Sequence, residues 1–325
     1  MSASEAHGGY KRALGDLAPI PKEGIHTIRV LYLEDPRLPA FGAARRKALY
    51  ARTEGLLKSW YGYSAEFKEV RAESLEKFFT DEKSAGALSF AKNASQIGHD
   101  DIDLSKAAHR KKLRKIIEED VERRSMEQLK EYFDIPENAD KNVAAAIAQQ
   151  TFMSRLSSVR AITVAGGETF FSKRHRITQA FAYWHSVMSE LGEADFILTN
   201  SSIVGADTSM PIYVISRGGI TNGFVTQSVL NAYGAVGMVG LFPFLSDDPF
   251  FLEHRGKVEE SEREDLIATF WMHELGHFFL RAEEMYGEPG CVHAAPIGLK
   301  TLQRYRAIKQ SANTCTRKPK PLKRL

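Results

Sequence analysis

The stretch from Ser261 to His277, SEREDLIATFWMHELGH, constrains this chain more than any other. Ser261 opens a capping-box pattern with acids in the first turn, and the apolar run LIATFWM follows, so a helix is expected to begin there. At 3.6 residues per turn His273 and His277 fall on one face, one turn apart, and two imidazoles can then reach one metal ion. Glu274 projects beside them. It is poorly placed to ligate the same ion, yet it can take a proton from a metal-bound water and pass it to a leaving amine. Two imidazoles plus one further carboxylate or imidazole suit zinc, which keeps an open position for water in such sites. The structural alternative is a pair of histidines satisfied by hydrogen bonds in a core.

The further ligand is open at this level. Glu283, Glu284, Glu288 and His293 all follow within sixteen residues of His277. On an unbroken helix Glu284 would share the histidine face but sit about 10 Å along the axis. The chain must therefore turn before any of the four can reach the ion.

The stretch HELGHFFLRAEE resembles the extended zinc motif of the metzincin metallopeptidases, His-Glu-x-x-His-x-x-Gly-x-x-His/Asp. Leu280 stands where the bend glycine would be, and the last ligand position falls on Glu283. Within that clan the segment GCVHA (290–294) and the basic end ANTCTRKPKPLKRL are most similar to the archaemetzincins. His293 replaces the methionine of the turn beneath the metal, and Cys315 alone remains of a Cys-x-x-Cys pair. The resemblance implies an α+β, zincin-like mixed sheet with an active-site helix. It implies a zinc metallopeptidase with zinc on His273, His277 and Glu283, preferred over His293, and with Glu274 as general base. It also implies a peptide or protein substrate laid along an edge strand, to which ADFILTNSSI, MPIYVIS and GAVGMVGLF belong or lie adjacent. A second, structural zinc lacks its cysteines. The competing reading is a catalytically inactive zincin-fold binding or regulatory protein.

Upstream, IHTIRVLYLED (25–35) and SAEFKEV read as strands on either side of a helix from Ala43 to Trp60, the opening of an α/β layer. Residues 73–160 are rich in helix formers and alternating charges and read as a helical insertion. Strand signals return at AITVAGG, and a helix is expected from about His175 to Leu191, with His175 and His185 structural. The domain plan is then a flexible lead over 1–24 and a single catalytic domain over 25–325. GAVGMVG lacks the spacing and the Lys-Ser/Thr of a phosphate loop, no Gly-x-Ser-x-Gly elbow occurs, and adjacency of Cys291 and His293 in sequence does not make a thiol nucleophile. The loops SRGGITNG and LSDDPFF are expected to shape the substrate pockets.

Composition bounds the rest. No apolar run is long enough to span a bilayer and the start lacks a secretory pattern, so no membrane partner and a cytoplasmic location are expected. Two cysteines in 325 residues fit a reducing compartment, where both would be free thiols. The net charge of +3 comes from a basic C-terminal end without acids after Glu288; with no interleaved aromatics it argues against nucleic acid and for a solvated terminus. Oligomeric state is not readable.

Overall fold

The computed structural model describes residues 15–16, 18–80, 103, 105–126, 129–130, 133, 135–165, 193–201, 203–206, 214–217, 219–222, 233, 235–247, 252, 256–283, 285, 290–294, 301–311, 315, 318–321 and 323–324. In chain order these hold β1 (Gly15–Asp16), β2 (Ile25–Glu34), α1 (Ala43–Leu56), β3 (Ser64–Ser74), α2 (Leu75–Thr80), α3 (Ala107–Arg123) and α4 (Lys141–Ala165). There follow β4 (Phe196–Thr199), β5 (Ile203–Ala206), β6 (Val214–Arg217), β7 (Gly219–Asn222), β8 (Val236–Gly240), the short α5 (Phe242–Leu245), α6 (Arg263–Leu275), α7 (Thr301–Ser311) and β9 (Lys323–Arg324).

The chain is a mixed α+β protein. Its main sheet has the order β3-β2-β4-β8-β7; the first four strands run parallel and β7 is antiparallel at one edge. The central strands are apolar on both faces, as a covered parallel sheet requires: Ile28, Val30, Leu31 and Leu33 of β2 and all of FILT in β4 are buried. β3 differs because it is an edge. Its charged residues SAEFKEVRAES leave only Phe67 buried, which blunts pairing with another chain. Gly237 in β8 is required by close packing, since a Cβ there would lie 2.0 Å from Cε1 of Phe196.

Helices α1 and α6 cover one face of this sheet. Trp271 of α6 is fully buried, with its ring centroid 4.8 Å from Phe67, 5.6 Å from Phe196 and 6.1 Å from Tyr50, so one indole joins α6, α1 and two strands. Polar ties fix the strand ends. Arg29 gives its main-chain N–H and its guanidinium to the buried Asp195, and the Asp35 N–H donates to the Asn200 side chain at 2.8 Å. Of the N-terminal lead, Gly15–Asp16 pairs with Lys323–Arg324, and the Ile20 N–H donates to the Phe279 carbonyl at 2.8 Å.

Between β3 and β4 the described elements are helical. Leu113, Ile117, Val121, Leu129, Phe133, Ile135, Ala144 and Ala148 bury into a core of their own. One local expectation fails here. AITVA, read as the start of a strand, is the last turn and a half of α4. An alanine-rich helix with no breaker before Gly166 runs on through three β-branched residues, because their propensity penalty is a few tenths of a kcal/mol each. The helix expected from His175 to Leu191 lies outside the described residues.

Candidate metal centre

The site grows from one buried helix. All residues from Leu266 to Leu275 are buried, including Thr269, His273 and Glu274, so α6 is held by the core on every side. Its capping box lies two residues before the expected one. Glu259 and Glu262 form the capping box, with the Glu259 N–H donating to Glu262 at 3.2 Å, and a 3₁₀ turn Glu260–Glu262 leads into Arg263. Glu264 and Asp265 add acidic groups to the first turn and pair with Arg45 and Arg52 of α1. At the far end the helix widens into a π-turn, Gly276–Leu280, and the chain leaves it at Arg281, a left-handed residue with φ of 51°.

His273 and His277 face each other. Nδ1 of His273 lies 2.7 Å from the Val292 carbonyl, and Nδ1 of His277 lies 2.6 Å from the Ala282 carbonyl. A carbonyl oxygen only accepts, so each Nδ1 donates its N–H, and a ring that carries no second proton then presents the lone pair of Nε2. Those two Nε2 atoms are 3.1 Å apart, with the rings at 90° to one another. Two nitrogens aimed at each other across that distance hold a cation between them, either a shared proton or a metal ion. Zinc–nitrogen bonds of about 2.0–2.1 Å at a tetrahedral angle separate the two nitrogens by about 3.3 Å, so the donor pair fits a zinc ion. The two carbonyls supply the outer hydrogen bonds that metal-binding histidines ordinarily make.

Glu274 is buried on the same helix, and Thr221 of the edge strand β7 donates its hydroxyl to Oε2 at 2.6 Å. His293 lies beneath. Its ring stacks on Tyr61 at 5.4 Å and 15°, and Nδ1 is buried without a hydrogen-bond partner. Burial, helped by His277, pushes this imidazole down to about 3, so it is neutral at ordinary pH. Gly276 makes room for it, since a Cβ there would sit 1.9 Å from Cε1 of His293. The Tyr61 hydroxyl donates to the Met272 carbonyl at 2.8 Å, tying this floor to α6.

The structure thus brings His273, His277 and Glu274 to one end of one helix. Glu283 is partly exposed, and its N–H donates to the Lys320 carbonyl at 2.7 Å. Among the described residues no three His, Cys, Asp or Glu side chains are grouped to hold a metal, so neither Glu283 nor His293 closes a three-ligand set with the pair. Glu284 and Glu288 lie outside the described residues. The left-handed bend falls on Arg281, one residue after Leu280. The Arg281 guanidinium is buried, donates to the Tyr233 carbonyl and is pushed down to about 10 by burial.

The expectation of free thiols is overturned: Cys291 and Cys315 form a disulfide across 24 residues. The expectation rested on cysteine count, which carries no information about which chain segments fold together. The pairing also removes that count as an argument for a reducing compartment. Sequence reasoning missed Thr221, because GITN read as part of a pocket loop while it is β7. It missed the Val292 and Ala282 carbonyls as well, which no side chain announces.

The chain matches no protein-family model, no curated protein and no solved structure. No helix of the described residues is long and apolar enough to cross a membrane.

Proposed function

We propose that this protein is a zinc-dependent metallopeptidase of zincin-like fold, similar to the archaemetzincins. The observation that carries the reading is the pair of Nε2 atoms of His273 and His277, facing each other 3.1 Å apart, with the buried carboxylate of Glu274 one residue from the first. Zinc on His273 and His277, with Glu283 as the further ligand that the motif spacing assigns, would act as a Lewis acid and make a water acidic at neutral pH. Glu274 then accepts the proton of the attacking water and returns it to the leaving amine. Thr221 holds Oε2 of that carboxylate and fixes its orientation. An extended peptide would add along β7, the edge strand among the described residues and the one that bears Thr221, so substrate and base meet at one strand.

Elemental analysis of the full chain after extensive dialysis tests the reading, with about one zinc per chain expected and loss of it in His273→Ala and His277→Ala. A protein that retains no metal, or whose zinc survives both substitutions, defeats the proposal. The same preparations, offered a mixture of quenched-fluorescent peptides, separate a peptidase from a metal-binding protein without hydrolytic activity.

A further inference from the structure

The two carbonyls that orient the histidines both belong to chain that follows α6, and both lie against the C-terminal end. The Val292 carbonyl, which accepts from His273, sits in a turn closed by the Ala294 N–H donating to the Cys291 carbonyl at 3.1 Å. Cys291 begins that turn and is bonded through sulfur to Cys315. The Ala282 carbonyl, which accepts from His277, belongs to the segment that Pro321 bridges and whose Glu283 N–H donates to Lys320. Cys315, Lys320 and Pro321 therefore brace both histidine supports. They hold one through main-chain pairing and the other through the chain's single disulfide.

We infer that the Cys291–Cys315 disulfide is a positioning element of the metal centre, holding the Val292 carbonyl on Nδ1 of His273 so that its reduction weakens zinc binding. The inference rests on the zinc reading above. Cys291 is fully buried while Cys315 is partly exposed, so Cys315 is the sulfur open to attack. A dithiol supplies two electrons and two protons: the Cys291–Cys315 bond breaks to two thiols as the dithiol closes to its own disulfide. The turn then loses its covalent tie to the tail. Nδ1 of His273 exchanges a fixed carbonyl for a mobile one. Loss of an outer hydrogen bond to a ligating histidine typically lowers metal affinity about ten- to a hundredfold.

The test is a zinc titration of the metal-free full chain against a chromophoric chelator. Four samples are compared: the oxidised protein, protein reduced by a phosphine that is then removed anaerobically, reoxidised protein, and Cys291→Ala/Cys315→Ala. Far-UV circular dichroism of each reports the fold. The expected result is a ten- to hundredfold weaker zinc affinity in the reduced and doubly substituted proteins, with the oxidised value regained on reoxidation. Equal affinity in the oxidised and reduced proteins overturns the inference, also where the double variant fails to fold. So does a lower melting temperature with unchanged affinity, which makes the disulfide a stabilising cross-link alone. An oxidised protein that binds no zinc overturns the zinc reading itself and this inference with it.

Discussion

Thr221 gives its hydroxyl proton to Oε2 of Glu274 across 2.6 Å, from the edge strand of the sheet to the C-terminal end of the buried helix. A hydrogen bond to a charged group is worth roughly 1.5–3 kcal/mol. Thr221→Val keeps the side-chain shape and removes the donor, so kcat on a cleaved peptide should fall by roughly ten- to a hundredfold with KM less affected. Thr221→Ser should restore most of it. Equal loss in both variants would assign Thr221 to packing.

Glu274→Gln is expected to keep zinc and lose hydrolysis by on the order of 10²–10⁴, because the amide fills the same space but accepts no proton. Parallel zinc analysis and peptide turnover decide it. A Gln variant as active as the parent would remove Glu274 from the role of base.

The further ligand can be found by single substitutions at Glu283, Glu284, Glu288 and His293, each to Ala, followed by zinc titration. Loss of a direct zinc ligand should weaken binding far more than loss of any of the other three. Glu283→Ala is the variant expected to do so. If His293→Ala loses the metal and Glu283→Ala keeps it, the assignment from motif spacing is wrong.

Much of this was legible in the chain, for identifiable reasons. IHTIRVLYLE and FILT are short runs rich in apolar residues that suit a covered sheet, and the period of 3.6 in LIATFWMHELGH puts His273 and His277 on one face. What escaped was non-local or lay in the main chain. Thr221 is 53 residues from Glu274, in a four-residue strand that begins with glycine. The supports of the histidines are carbonyl oxygens, which every residue has. The bend fell on Arg281 and not at Leu280 because the helix widens at Gly276–Leu280, and a left-handed arginine carries no sequence mark comparable to glycine. AITVA was misread because three β-branched residues weigh less than the long helix they end.

Gly276→Ala tests the packing under the histidines. The new methyl would meet Cε1 of His293 at 1.9 Å, Nδ1 at 2.5 Å and the Tyr61 hydroxyl at 3.1 Å, and the stacked ring has little room to give. Overpacking of this kind costs about 1–3 kcal/mol, which lowers the melting temperature of a domain this size by several degrees. Adding His293→Ala supplies the space. The double variant should be more stable than the sum of the single losses by about 1 kcal/mol or more, and simple additivity in thermal melts would count against the contact.

His293 also sets a pH dependence whose sign follows from its surroundings. Burial, with His277 adding to it, depresses the folded imidazole to about 3, while in the unfolded chain it titrates near its ordinary value of about 6.5. Between those values the unfolded state binds a proton that the folded state refuses, so unfolding is favoured as pH falls. The stability is fully present above about pH 6.5 and is lost progressively toward pH 3, with a limiting slope of about 1.4 kcal/mol per pH unit for one such group. Urea unfolding of the metal-free protein at pH 7, 6, 5 and 4 measures the slope without competition from zinc. His293→Leu should be less steep across that window by up to one proton's worth. A variant that follows the parent's slope at every pH would mean that His293 takes up its proton in the folded state as readily as in the unfolded one, and the neutral floor beneath His273 and His277 would have to be abandoned.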